Sequence, residues 1–208
     1  MFVRDIMTRN PVSISSEATL RELLTLMTEK TFEAIPVRDN GEVMGIVTDW
    51  DIITNRPGDV GDYLDTTKVR DVMSSNVVTV TGDEVVEMAA FHMYFHDLDA
   101  LPVVNNQSHI VGIVTQNDIF RAMVTLMGLR AKGTRITLDT PDEAGILAQV
   151  AGVVRDAGIN ISSLSTYSRP GSDRASIILR VKTDKVQELV EALNSQKFKV
   201  VHISEVWK

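Results

Sequence analysis

Two tetrads combine residue types that chemistry can use. Thr48-Asp49-Trp50-Asp51 and Thr115-Gln116-Asn117-Asp118 share the spacing Thr-x-x-Asp. Each follows a β-branched run, Gly45-Ile46-Val47 or Gly112-Ile113-Val114, and opens a helical stretch, so each marks a strand entering a helix. Backbone N–H groups at such a junction lack intrahelical partners, and the helix dipole favours an anion there. A threonine hydroxyl at that place can bond a phosphate oxygen. An aspartate one turn on can accept from two vicinal hydroxyls. Together they suit a ribose 5′-phosphate, hence a nucleotide. The same two side chains can also cap the helix with no ligand at all. The tetrads differ in charge. Asp49 adds a carboxylate beside the first, whereas Arg121 follows Asp118 by one turn in the second. Opposite charges at short range favour each other, so the Thr115/Asp118 pair is expected to hold phosphate better.

Other chemistry is thinly represented. His92 and His96 have the i, i+4 spacing of a zinc pair, with Asp97 and Asp99 nearby, but no third ligand stands at metal-site spacing. They read as solvated helix histidines, and no metal site is expected. No Gly-Lys-Ser/Thr phosphate loop, Gly-x-Ser-x-Gly elbow or His-Glu-x-x-His occurs. No catalytic residues are assigned. A metal-dependent nucleotide hydrolase using Asp49 and Asp51 with Mg²⁺ is the enzymatic alternative. Trp50 could cover a bound base or pack half-buried.

The elements that position the tetrads come from a duplicated unit. Val3-Arg4-Asp5-Ile6-Met7-Thr8 returns as Val69-Arg70-Asp71-Val72-Met73-Ser74, and Ala34-Ile35-Pro36-Val37 as Ala100-Leu101-Pro102-Val103, both at an offset of 66. After one extra loop residue, Gly45-Ile46-Val47-Thr48 returns as Gly112-Ile113-Val114-Thr115 at 67. Each copy reads β-α-β-β-α. Ser16 is the expected N-cap of the first helix, whose face carries Leu20, Leu23, Leu24 and Met27. Val85, Val86, Met88, Ala89 and Met93 stripe its counterpart. Asp39-Asn40-Gly41 signals a hairpin. Breakers over Arg56-Pro57-Gly58-Asp59-Val60-Gly61 separate the copies.

The last third differs. Residues 134–208 hold 10 Lys/Arg and 9 Asp/Glu, against 11 and 19 before them, with a hinge expected over Gly128–Gly133. Strands are expected over Arg135–Leu138, Ile159–Thr166, Ala175–Val181 and Lys199–Val206, the last ending near Trp207. Helical stripes run through Ile146, Leu147, Val150, Val153 and Val154 and through Val186, Leu189, Val190 and Leu193, with Gly158 at the C′ position. The order β-α-β-β-α-β is the ferredoxin-like split unit.

Composition bounds the rest. The chain has 208 residues, 44 % apolar and 24 % charged, and a net charge of −7, ordinary for a globular protein. Its mean hydropathy is +0.03 and its pI about 5.1. The acidic balance argues against nucleic acid as partner. The absence of cysteine excludes disulfides and thiolate chemistry and fits a reducing cytoplasm. No apolar run nears the ~20 residues of a membrane helix, and no secretion signal opens the sequence.

The tandem Ile/Val-Met-Thr/Ser opening, Ala-x-Pro-Val strand and Gly-x-x-Thr-x-x-Asp junction resemble a pair of CBS domains, a Bateman module, over about residues 1–127. Pro141-Asp142-x-x-Gly145-x-Leu147 with Gly158-Ile159-Asn160-Ile161 resembles an ACT domain over 134–208, although Ala144 stands where family members usually carry proline. The combination is similar to the bacterial acetoin-utilisation CBS–ACT family. The fold class expected is α+β: CBS domains at 1–60 and 61–129 forming a pseudo-symmetric pair, then an ACT domain at 134–208.

The resemblance implies an adenosine ligand, such as AMP, ADP, ATP or S-adenosylmethionine, and no cofactor. By position it implies Thr8, Val12, Phe32, Glu33 and Ile46 in one cleft and Ser74, Val78, Leu98, Asp99 and Ile113 in the other. Thr48 and Asp51 serve the first, Thr115 and Asp118 the second. In the ACT domain it implies Thr140, Asp142, Gly145 and Asn160 around an amino acid, or else a unit that only pairs edge to edge. The expected protein is a non-catalytic cytoplasmic regulator, homodimeric, acting on a target protein the sequence does not name. The alternative is a ligand-free interaction module.

Overall fold

The computed structural model describes residues 1–30, 32–55, 62–130, 132–168 and 170–206. The expected linker Arg56–Gly61 and Trp207 lie outside the described residues. The chain forms two compact units, Met1–Ala122 and Met123–Lys208.

The first unit holds β1 (Thr8–Arg9), α1 (Leu20–Lys30), β2 (Ala34–Asp39), β3 (Glu42–Thr48), α2 (Asp49–Thr54), α3 (Tyr63–Thr66), β4 (Val80–Thr81), α4 (Val86–His96), β5 (Ala100–Val104), β6 (Ile110–Thr115) and the start of α5 (Gln116–Leu126). The β2–β3 hairpin turns at Asn40 (φ +53°) and Gly41 (φ +92°), the left-handed pair that a two-residue turn requires, with Asp39 opposite Glu42. On α1 the stripe buries Leu20, Leu23 and Met27, while Leu24 faces out.

Ser16 is not the cap of α1. The helix begins at Leu20, where Thr19 and Glu22 make the reciprocal pair of a capping box: the Thr19 N–H donates to Glu22 Oε2 (2.7 Å) and the Glu22 N–H to Thr19 Oγ1 (3.2 Å). Ser16 donates its hydroxyl to Asp39 Oδ2 at 2.5 Å instead. Its counterpart helix α4 has Val85 at the N-cap, with no side-chain bond.

The two repeats exchange their opening segments. Val3 is buried with Val80, Ala89, Leu101 and Val114 of the second repeat. Val69 and Val72 are buried with Leu20, Leu23, Ile35 and Val47 of the first. Main-chain bonds match: Val3 N–H to Glu84 O (2.8 Å) and Arg4 N–H to Gly82 O (2.9 Å), against Val69 N–H to Ala18 O (2.9 Å) and Arg70 N–H to Ser16 O (3.1 Å). The ion pairs Arg4–Asp83 and Arg70–Glu17 repeat the same relation. Strand β1 accordingly joins β6, with Thr8 opposite Ile113, in a sheet ordered β1-β6-β5-β4. Ser74 bridges Ile46 in the same way. Between the repeats Ile46, Ala100 and Ile113 form a small buried seam.

The second unit carries β7 (Gly133–Pro141), α6 (Ile146–Asp156), β8 (Ile161–Ser168), β9 (Arg174–Val181), α7 (Val186–Ser195) and β10 (Lys199–Val206). The strands form one antiparallel sheet ordered β10-β7-β9-β8. Ile136, Leu138, Ile177 and Leu179 pack beneath Val150, Val154, Leu189 and Leu193 of the helices. Gly158 (φ +70°) ends α6: its N–H bonds Arg155 O, and the Ile159 N–H bonds Val154 O. That pair is a Schellman closure. Strands β7 and β8 run further than the alternation predicts, to Pro141 and Ser168, because ladder bonds to β9 continue past the apolar residues.

The exchange rests on close contacts at two glycines. A Cβ on Gly45 would stand 2.6 Å from Met73 Sδ and 2.9 Å from Ser74 O; on Gly112, 2.6 Å from Met7 Sδ and 3.2 Å from Thr8 O. A thioether can swing away, whereas a bridged carbonyl cannot. Gly45→Ala should therefore cost about 1–3 kcal/mol, and more than Gly112→Ala, measured by urea unfolding. Asp39 gives a pH signature. Hydrogen bonds from the Ser16 and then the Ser15 hydroxyls hold its carboxyl below the usual carboxylate range. Its contribution is present above the unfolded-state value and fades as pH falls through the depressed one. The stability gap between wild type and Asp39→Asn should be full at neutral pH and close as pH falls below the ordinary aspartate range.

Candidate functional site

At the β6–α5 junction the Thr115 hydroxyl donates to Asp118 Oδ2 (2.8 Å), as does the Thr115 N–H (3.0 Å). The Asp118 N–H donates back to Thr115 Oγ1 (3.3 Å). The β3–α2 junction repeats this: Thr48 hydroxyl and N–H to Asp51 Oδ2, both 2.7 Å, and Asp51 N–H to Thr48 Oγ1 at 3.2 Å. The capping role is thus realised in both tetrads. It engages one carboxylate oxygen of each. Asp118 Oδ1 takes no part in the cap and stands 3.8 Å from Arg121 Nη1.

Beside Asp118 lies a cleft of about 320 Å³, within the size range of small-molecule sites. One wall is the second repeat's junction, with Ile113, Thr115, Asn117, Asp118 and Arg121. The other comes from the first repeat: Thr8, Asn10, Pro11 and Val12 of the opening, then Phe32, Glu33, Ala34 and Pro36 around the start of β2. The lining combines apolar surface with Asp118, Arg121 and the N-terminus of α5. Glu33 adds a second carboxylate.

This partition corrects the expected one. Thr8, Val12, Phe32 and Glu33, expected with Ile46, Thr48 and Asp51, line a cleft with Ile113, Thr115 and Asp118 instead. The cause is the exchange of openings, which sets Thr8 opposite Ile113 and Ser74 against Ile46 (N–H to O 3.1 and 3.0 Å). Ile46 is buried beside Ala100, the residue after Asp99. Val78 and Leu98 pack against the second repeat's core, and the bridge from Ser74 sets it with Ile46, two residues before Thr48, in the second set. In that set Trp50, 67 % exposed, replaces Asn117, and Thr54 replaces Arg121. Asp49 replaces Gln116 and accepts the Trp50 N–H at 2.9 Å. Gln116 bonds the Asp99 carbonyl through its N–H (2.9 Å) and the Leu98 carbonyl through Nε2 (3.2 Å).

Sequence reasoning missed Asn10, Pro11, Ala34 and Pro36 as lining residues. Asn10 carried a signal, since it recurs as Asn76; its backbone is left-handed (φ +47°).

In the second unit Thr140 is withdrawn as a ligand contact. It is 1 % exposed, and its hydroxyl donates to Ala175 O at 3.3 Å. Asp142 and Asn160 present exposed side chains, and Gly145 (φ +92°) precedes α6. Among the described residues no three His, Asp or Glu converge as a metal site. His92 Nε2 stands 3.5 Å from Glu84 Oε1 and its ring stacks on His96. No described helix is long and apolar enough to cross a membrane.

Comparison with known proteins bears on both units. The CBS domain family matches residues 3–58 and 69–125, just over half of the chain, and the TTHA0829-like ACT domain matches 132–204. A homoserine O-acetyltransferase from Methanocorpusculum labreanum is 35 % identical over 120 residues, 57 % of this chain and 23 % of that enzyme. The chain thus spans about a quarter of the length of the curated relatives it matches. Among solved structures, the CBS domain pair of protein MJ0100, in complex with 5′-methylthioadenosine and S-adenosyl-L-methionine, is 28 % identical. It has a TM-score of 0.52 and covers 59 % of this chain and 99 % of its own. A candidate acetoin utilization protein, AcuB from Vibrio cholerae, is 27 % identical with a TM-score of 0.55, over 62 % of this chain and 95 % of its own. CBSX2 in complex with AMP is 26 % identical with a TM-score of 0.52, over 60 % of this chain and 96 % of its own.

The cap gives a ligand-independent prediction. Thr48→Ala and Thr115→Ala should each cost about 0.5–2 kcal/mol without any nucleotide present, and Thr→Ser at either place should restore most of it, read by urea unfolding.

Proposed function

The chain belongs to the CBS domain family, carrying two such domains and a C-terminal ACT domain, and from that premise we propose that it is a regulator binding an adenine nucleotide in the Asp118 cleft. The observation that carries this is Asp118 Oδ1. It takes no part in the cap, belongs to a residue that lines a cleft with apolar surface, and has Arg121 beside it. A ribose diol donating to Oδ1 leaves Oδ2 in the cap, so binding does not cost the helix its start. The base then lies among Val12, Phe32, Ala34 and Ile113, and the phosphate meets Arg121 and the α5 N-terminus. The adenosine ligands in MJ0100 and CBSX2 support the ligand class.

Phosphate selects the Asp118 cleft over its twin. There the equivalent groups are Asp49, Asp51 and Asp99, with Thr54 where Arg121 would be. We assign no catalysis: Asp51 is held by the Thr48 cap and Asp49 by the Trp50 N–H. The ACT domain serves pairing with a second copy, or a small molecule at Asp142 and Asn160. Nucleotide shifts an equilibrium between two arrangements by binding one more tightly, and a cytoplasmic target reads the difference. The caps present in both tetrads favour one other reading, a ligand-free interaction module.

Calorimetric titration with AMP, ADP, ATP and S-adenosylmethionine separates these. Asp118→Ala should weaken the best nucleotide about 10–100-fold, the worth of hydrogen bonds to a charged group, and Asp51→Ala less than about threefold. Equal losses reject the asymmetry. No heat with any adenosine compound supports the ligand-free module.

A further inference from the structure

The face of the C-terminal sheet turned away from its helices carries an unusual row. Register sets Ser204 opposite Arg135, Arg135 opposite Arg180, and Arg180 opposite Ser163. Alternation puts all four on the face opposite Ile136 and Leu179, which point into the core. Two arginines thus stand directly across an antiparallel pair, both half-buried. Like charges so placed destabilise a sheet.

Nothing among the described residues neutralises them. Neither arginine has a carboxylate of a described residue within ion-pair distance. The nearest acid on that face, Asp139, sits four residues along β7 and is held by Arg174 at 2.9 Å. The next row, His202, Thr137, Ile178 and Ser165, holds no acid. Arg135 donates to Thr137 Oγ1 at 2.6 Å, a neutral partner. Burial, and then Arg135, push the Arg180 guanidinium below its usual value. The turn at Gly128 lies over the row, where a Cβ would be 2.9 Å from Ser163 Cβ and 3.4 Å from Arg180 Cδ. The stem of Arg180 is covered there without a hydrogen bond.

We infer that Arg135 and Arg180 form a binding site for a small oxyanion, a carboxylate or phosphate group held by the two guanidinium forks between Ser163 and Ser204. Two planar forks side by side match two oxygens apiece, and the serines supply neutral donors at the flanks. The site is distinct from the loop of Asp142 and Gly145 and from the nucleotide cleft. The bound anion removes the repulsion that the empty row carries.

The test is thermal unfolding of the full chain with inorganic phosphate or succinate, against sodium chloride at matched ionic strength. Wild type and Arg121→Gln should gain about 2–4 °C at saturating anion. Arg135→Gln and Arg180→Gln should lose that gain while unfolding at the same or a higher temperature than wild type without anion, since each relieves the repulsion. Arg180→Lys keeps the charge without the fork, and should need at least about tenfold more anion. Whichever anion acts at the lower concentration identifies the source, phosphate or carboxylate. No gain beyond the chloride control, a gain that survives in both glutamine variants, or one lost only in Arg121→Gln overturns the inference.

Discussion

A methionine from each repeat's opening packs against a glycine in the other repeat, Met73 on Gly45 and Met7 on Gly112. Most of what the first unit can do follows from that reciprocal contact. It carries Val3 into one core and Val69 into the other, each burial worth about 1.5–3 kcal/mol. It also fixes the bridges Thr8–Ile113 and Ser74–Ile46. Neither repeat's core is complete without the other's opening, so the pair is expected to fold as one cooperative body. The Asp118 cleft is composite for the same reason: the opening segment and the start of β2 come from the first repeat and the polar junction from the second.

The junction itself shows one group with two duties. Asp118 closes the start of α5 with Oδ2, and its Oδ1, outside the cap, belongs to a residue that lines the cleft. A carboxylate oxygen that accepts two local hydrogen bonds is already oriented, so a ligand would not have to fix its rotamer, and that lowers the entropic cost of binding. The two junctions share this geometry almost bond for bond. Their difference is electrostatic and lies in neighbours the repeat did not conserve: Asn117 and Arg121 on one side, Trp50 and Thr54 on the other. The duplication supplied two such junctions, and the residues around them differ in charge.

Much of this was legible in the residues. The offset of 66 exposed the duplication, the Asn40-Gly41 pair placed the hairpin, and periodicity located the helices. What the sequence could not carry was partnership. Thr8–Arg9 is a two-residue strand, too short for alternation to reveal which repeat it joins, so Ile46 and Ile113 were expected in each other's place. Ser16 and Thr19 are equally good caps by residue type; the choice fell to Thr19 because Asp39, distant in sequence, claims Ser16. Thr140 matched a family position, yet the continued ladder to β9 turns it inward. In each case a tertiary contact overrode a locally reasonable reading.

The composite cleft is tested most directly by methyl NMR during titration with AMP. Val12 and Ile113 come from different repeats and line the same cleft. Their methyl resonances should move together, at one saturation point, while those of Ile46 lag. Movement of Val12 in step with Ile46 while Ile113 stays still, or no movement of any of them at saturating nucleotide, would contradict the account.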